Sequence, residues 1–454
     1  MENIKPYTKY RPSGITWLDY IPEHWDVKSV RKSFLFSVGF TPPTEKDEYF
    51  TFSDNGIPWI TIRDMKGKYI SKSKQDISQF YIETFNKPLI LKGSLLYSFK
   101  LSVGKVGFAN IDLFTNEAIF SVLPNENYCL NYFYYSLPNQ IIKNASENIY
   151  GAKILNQSLI KSAKIVFPPI EEQKTIANFL DYKTAKIDRF IRKKKQLIKL
   201  LNEQKTSIIN HAVTKGLDEN VKTKPSGIDW LGDIPEHWEV RRTKVLFKLV
   251  TNFAPINNDE ELLSVYTEIG VKPRKDLVAK GNKSSTTDGY WLVQKGDIIV
   301  NKLLAWMGAV GVSEYDGVTS PAYDILRSKG EAFSSFYHYL FRNPKTFKEF
   351  KRHSRGIMDM RLRLYFSELG NIYMPLPPID EQKQIVNYIE NETSIINKTI
   401  LNIEKEIALV QEYRTALIAE AVTGKFDLRD YQLPVIDEEL LYEEFEEEEL
   451  GYGS

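Results

Sequence analysis

The chain has 454 residues, 42% hydrophobic and 26% charged, a length that supports at least two cores and a composition that excludes a disordered protein. One cysteine, Cys129, rules out a disulfide framework and most cysteine-based metal sites, and no apolar run approaches a membrane span or a signal segment, so a cytoplasmic protein without a membrane partner is expected. The net charge of +1 averages two unlike regions: nine acidic and no basic residues lie between Asp437 and Glu449, which leaves +10 on the remainder. That excess is compatible with a polyanionic partner, and the acidic segment itself reads as a solvated end.

In chain order, the first motif runs Pro12-Ser13-Gly14-Ile15-Thr16-Trp17-Leu18 and continues as Ile21-Pro22-Glu23-His24-Trp25-Asp26-Val27. A body of short β-branched and aromatic stretches follows: Ile57 to Ile62 after the turn signal Asp54-Asn55-Gly56, Leu95 to Phe99, and Ala118 to Val122. Within it, Lys92-Gly93-Ser94 and Gly104-Lys105-Val106-Gly107 mark turns or bulges and lack the phosphate-binding Walker pattern. Next comes Pro168-Pro169-Ile170-Glu171-Glu172-Gln173-Lys174, which reads as a helix start with acidic residues in its first turn.

The whole order then repeats. Pro225-Ser226-Gly227-Ile228-Asp229-Trp230-Leu231 and Ile234-Pro235-Glu236-His237-Trp238-Glu239-Val240 stand 213 residues on, and Pro377-Pro378-Ile379-Asp380-Glu381-Gln382-Lys383 stands 209 on. The second body has strands expected near Tyr290 to Val293, Asp297 to Val300 and Ala322 to Leu326, with Lys295-Gly296-Asp297 and Gly308-Ala309-Val310-Gly311 as its punctuation. A period this long is a domain plus an appendage, not a solenoid repeat.

Each helix carries a seven-residue apolar series. Leu180, Ile187, Leu201 and Ile208, with Ile191 and Ile198 in a companion series, are answered 209 residues on by Ile389, Ile396, Ile403, Val410 and Leu417, with Ile400 and Ile407. Sustained spacing of this kind makes a coiled-coil seam. A parallel equivalent register would set Lys205 against Arg414 in that seam. An antiparallel one sets Lys205 against Ile396 and Arg414 against Ile187, where each stem packs and each head reaches water. The expected fold is therefore α+β, with two β-rich bodies and two long helices paired antiparallel.

No catalytic constellation emerges. The five histidines, His24, His211, His237, His338 and His353, lack metal-site spacing. A Glu-His acid/base pair in the twin Pro-Glu-His-Trp words is outweighed by a docking turn around a buried tryptophan, and a nuclease reading of Asp380-Glu381-Gln382-Lys383 by a helix start. What remains is binding. The candidate DNA-contacting set is Arg63, Lys66, Lys100, Lys105 and Lys153 with Asn156 and Gln157 in the first body, and Arg274, Lys275, Lys302, Arg355, Arg361 and Arg363 with Asn301 in the second. Lysine and arginine can neutralise phosphates, while the amides carry the donors and acceptors that read base edges.

Taken in order and twice over, these motifs resemble the DNA specificity subunit of type I restriction-modification systems, over residues 12 to 427. The resemblance implies target-recognition domains at 1–168 and 217–376 and conserved helical regions at 169–216 and 377–424, whereas the acidic C-terminal tail at 425–454 is read from composition and is not a strong requirement of the family pattern. It implies a non-catalytic chain that binds double-stranded DNA at a bipartite target. It also implies methyltransferase and restriction or translocase partner subunits, which would hold the S-adenosylmethionine, ATP and Mg that this chain does not. The alternatives are a stand-alone DNA-binding or inhibitory protein, or a coiled-coil adaptor, of the same architecture.

Overall fold

The computed structural model describes residues 5–51, 56–100, 102–147, 153–267, 269–276, 287–357 and 361–434. The acidic residues 437 to 449 and the turn residues Asp54 and Asn55 lie outside that set. The chain forms two compact units: Met1–Lys193 with Glu406–Ser454, and Lys194–Lys405. Each long helix, Ile170–Lys215 of 46 residues and Ile379–Val422 of 44, starts in one unit and ends in the other.

The body of unit 1 is built on a five-stranded sheet ordered Phe36–Val38, Ile119–Val122, Leu95–Ser98, Val106–Ala109 and Tyr69–Ile70. Its first four strands pair antiparallel, and the last joins in parallel. The central strands are buried on both faces, which is why Leu95-Leu96-Tyr97 and Ile119-Phe120 read as continuous apolar runs instead of alternating. One face covers the main core with Trp25, Phe133 and Val166, and the other a smaller cluster around Ile60, Leu96 and Ile119. The body closes on itself where Asp26–Ser29 pairs antiparallel with Lys164–Phe167.

The body of unit 2 repeats this frame. Its central sheet runs Phe247–Val250, Tyr323–Ser328, Ile298–Asn301 and Val310–Val312, the same order as the first four strands of unit 1. It closes in the same way, Glu239–Arg242 against Tyr373–Leu376. The turn glycines agree as well: Gly104 and Gly308 both take a left-handed φ, 88° and 90°, where a side chain would be strained. The bodies differ outside the frame. Unit 1 carries a helix at Gln79–Phe85 against Tyr49 and Phe40, whereas unit 2 carries Pro344–His353 packed on the short turn Ala305–Met307.

The helices pair antiparallel in each unit. In unit 1, Leu180, Ile187 and Ile191 share a core with Leu417, Ala421 and Val422. In unit 2, Ala212 and Val213 share one with Ile385, Val386 and Ile389. All thirteen apolar seam positions of the heptad reading are buried or half-buried, while Leu197, Leu200, Ile395, Leu401 and Leu409 on the other faces are exposed. The two seam cations find polar neighbours one residue beyond the expected apolar ones. Lys205 Nζ donates to Asn397 Oδ1 at 2.8 Å, and Arg414 Nε meets Asp188 Oδ1 at 3.3 Å.

Candidate nucleic-acid interface and the lock that frames it

The two recurrent words of each repeat are one contact. In unit 1, Trp25 is fully buried and donates its indole N–H to Glu172 Oε2 at 3.0 Å, while His24 Nε2 lies 2.5 Å from Glu172 Oε1. Tyr7 adds a third hydrogen bond to the same carboxylate at 2.7 Å. Burial, then that hydrogen bond, pushes the Tyr7 hydroxyl well above its ordinary pKa. In unit 2, Trp238 donates to Glu381 at 3.0 Å and His237 lies 2.7 Å from it. The next residue repeats too. Gln173 ties Pro168 O and the Cys129 N–H, and Gln382 ties Pro377 O and the Phe333 N–H, at 2.7 to 2.9 Å.

The helix-start carboxylate therefore does more than favour the first turn: it seats the long helix on its own body. The far end of each helix arrives at a lock as well. Gly216, after the first helix, has φ 79°, and a β-carbon there would lie 3.2 Å from Glu381 Oε1 and 3.4 Å from the Trp238 ring. Gly424, after the second, has φ 78° and abuts Pro22 and Trp25. The geometry matches a docking turn around a buried tryptophan, and the histidine's partner is Glu172 or Glu381, not its chain neighbour Glu23 or Glu236. Among the described residues no cluster of three His, Cys, Asp or Glu could hold a metal, and no helix is long and apolar enough to cross a membrane.

The candidate DNA-contacting residues divide by what else they do. In unit 1, Arg63 and Lys66 are exposed in the turns after Ile57–Ile60, and Lys105 Nζ reaches Ile62 O at 3.5 Å, so these three share one edge. Lys100 pairs with Glu117 at 3.7 Å. Lys153 is exposed on a small hairpin, Ser146–Glu147 against Lys153–Ile154, just before the exposed Gln157. Asn156 spends its carbonyl capping the helix Gln157–Ser162, through the Leu159 N–H at 2.9 Å.

In unit 2, Arg355 and Arg363 bridge each other's backbone at 2.9 Å, 209 residues after Ser146 and Ile154, so the hairpin is repeated and here carries arginines. Lys302 joins them through its carbonyl, which accepts from Leu364 N at 2.8 Å. Arg361 is exposed beside Arg363, and Arg355 pairs with Glu368. Lys275 is committed to Glu261 on the 3-10 turn Arg274–Asp276, where Arg274 is half-buried. Asn301 is 8% exposed and holds the Leu303 N–H at 3.0 Å, a turn-forming role. Sequence reasoning missed the neighbours Leu304 and Met307, exposed on the turn that Pro344–His353 covers, and Lys351 over the Trp306 ring at 5.1 Å. A single exposed apolar residue has no sequence signature, so only the fold could find them.

Lys302 is held inward, 3.2 Å from Asp324 Oδ1 and 2.7 Å from Pro321 O. Burial raises the Asp324 pKa and Lys302 opposes the rise. Lys302→Ala is therefore expected to cost about 2–4 kcal/mol of stability at neutral pH by stranding a buried carboxylate. A raised folded-state pKa penalises the ionised form above it. The deficit should be present at neutrality and shrink as pH falls through that pKa. Urea unfolding at neutral and acidic pH checks this, and a deficit independent of pH would contradict it.

The profile of the type I restriction modification DNA specificity domain matches residues 22–200 and again 235–405. The chain is 26% identical over 235 residues to the type I restriction enzyme MjaIX specificity subunit of Methanocaldococcus jannaschii, a match spanning 50% of this chain and 53% of that one. It is 23% identical over 415 residues to the EcoBI specificity subunit of Escherichia coli, spanning 84% and 82%. A solved chain from work on complex assembly and conformational transition of the type I R-M system superimposes with a TM-score of 0.66 at 13% identity, covering 89% of this chain and 99% of that one, which shows the shared fold. With two profile copies, each framed by its own lock, this chain belongs to the type I restriction-modification DNA specificity family, whose members are the non-catalytic recognition components of their complexes.

Proposed function

We propose that the chain is the specificity subunit of a cytoplasmic type I complex, that it reads a bipartite double-stranded DNA target with one half-site per body, and that it directs methyltransferase and restriction or translocase subunits to that target. S-adenosylmethionine, ATP and Mg²⁺ belong to those partners. The observation that carries this reading is the combination of an identical frame with unlike surfaces: sheet order, closing strands and the tryptophan lock repeat, while the hairpin offers Lys153 in one body and Arg355, Arg361 and Arg363 in the other. Two readers with one scaffold and two surfaces suit two different half-sites.

Selection from a random duplex pool by the chain with its methyltransferase partner should enrich two fixed blocks separated by a gap of constant length and no sequence preference. A single contiguous block, or no enrichment, would contradict it. Arg361→Ala with Arg363→Ala should weaken binding. The dependence of log K on log salt should become shallower by about one unit for each phosphate interaction removed, whereas loss of a bidentate base contact costs about 1–3 kcal/mol at one position.

A further inference from the structure

We infer that the turn from Leu304 to Met307 in the second body is a base-reading element, and that its two exposed apolar side chains pack on the C5-methyl of a thymine in that body's half-site. This rests on the proposal that each body reads duplex DNA, and it names what one of them recognises. Leu304 is 39% and Met307 49% exposed, whereas Ala305 between them is fully buried. The two stand three residues apart at a 3-10 turn, where positions i and i+3 lie one above the other, so both project on the same side.

Single exposed apolar residues are ordinary on a protein surface; this pair is set apart by what holds it and what surrounds it. The Met307 N–H donates to Leu304 O at 2.9 Å, the Trp306 indole N–H to Leu303 O at 3.0 Å, and the Arg342 guanidinium to Gly308 O at 3.1 Å. Gly308 closes the turn, and a β-carbon there would lie 2.6 Å from the Phe347 ring. The turn is thus held in one shape before any ligand arrives, which spares binding the cost of ordering it.

The rim around the pair is basic. The helix Pro344–His353 meets the turn through Phe347, and Lys351, one helical turn further on, lies over the Trp306 ring at 5.1 Å. Lys348 is exposed on the same side of that helix. On the other flank the Leu364 N–H donates to Lys302 O at 2.8 Å, which brings Arg363 and the exposed Arg361 to the residue from which the turn starts. From Pro344 to Arg363 the sequence has seven basic and two acidic residues, a balance that suits phosphates. In the major groove of an unmodified duplex, the apolar group that a base edge offers is the thymine methyl. The corresponding turn of the first body, closed by Gly104, exposes Lys100, Ser102 and Lys105 among its described residues. Hydrogen bonding suits that turn, and a methyl group suits this one.

Removing that methyl from the target tests the contact. The full chain, assembled with its methyltransferase partner, first selects its blocks from a random duplex pool, and each thymine in them is then replaced by deoxyuridine. At one or two positions within a single block, affinity should fall about fourfold per methyl lost. The fall should vanish in Leu304→Ala with Met307→Ala, with the salt slope unchanged because no charge is removed. Leu304→Met with Met307→Leu keeps the apolar volume and should retain it. Parent binding indifferent to deoxyuridine, or a fall that persists in the double alanine variant, overturns the contact. So does loss of assembly with the methyltransferase in that variant while the parent is indifferent to deoxyuridine, which would make the pair a protein contact. If the parent selects no block at all, the half-site reading falls and this contact with it; selected blocks without methyl sensitivity overturn the contact alone.

Discussion

Replacing Trp25 with alanine is expected to cost unit 1 about 3–5 kcal/mol, the range for deleting a large aromatic side chain from a packed core. The indole is fully buried, so its removal leaves a cavity that a sheet-closing contact on one side and a helix start on the other cannot easily collapse into. The loss is also polar, because Glu172, itself 8% exposed, gives up one of its three donors. Glu172→Ala should approach the same cost from the other side by stranding the Tyr7 hydroxyl and the Trp25 N–H, at about 1–3 kcal/mol for each buried group. Hydrogen exchange should localise both effects to Asp26–Ser29, Lys164–Phe167 and the first turns of the helix at Ile170, with the equivalent elements of unit 2 still protected. Parent-like melting and exchange in Trp25→Ala would show that the twin motif does not hold helix to body.

The same lock shows what a sequence can reveal. Periodicity exposed the seam, because Leu180, Ile187 and Ile389 report a face repeated every seven residues, and the antiparallel direction followed from two cations that would otherwise have met. Strand positions were legible wherever a run was buried on both sides, as at Leu95–Ser98 and Ile298–Asn301. The partner of His24 was not, since Glu172 stands 148 residues away and its neighbour Glu23 offers an equally suitable carboxylate. Only the joint recurrence of both motifs hinted that they touch.

Polar residues were harder still. Asn156, Asn301 and Lys302 have the donors and acceptors expected of base or phosphate contacts, yet each is occupied by a helix cap, a turn or a buried carboxylate. Composition says what a side chain can bond to. It cannot say whether the fold has already used that capacity, as it has at these three positions and, through ion pairs, at Lys100, Lys275 and Arg355, leaving Arg63, Lys66, Lys105, Arg361 and Arg363 as the better probes.

Exchanging residues 225–376 for the corresponding body of a relative is expected to rewrite one half of the recognised sequence and leave the other half unchanged. The body closes where Glu239–Arg242 pairs with Tyr373–Leu376 along their full length, so the exchanged segment carries both closing strands together. Its sheet packs on two clusters, one around Leu263 and Ile325 that is the body's own, and one around Phe247 and Leu340 that it shares with Ala212, Val213, Ile385, Val386 and Ile389 of the long helices. Attachment to the helices runs through that shared core and through Trp238, Glu381 and Gln382, so a graft must keep the apolar residues facing the helices as well as the tryptophan and the backbone amide at Phe333. Each wrong base pair costs about 1–3 kcal/mol, so three substituted positions in the second half-site should lower affinity for the original target by roughly a hundredfold or more. Mapping the methylated sequence of the assembled complex reads the result directly. If both halves change together, the two bodies do not read independently; if neither changes, the specificity lies outside residues 225–376.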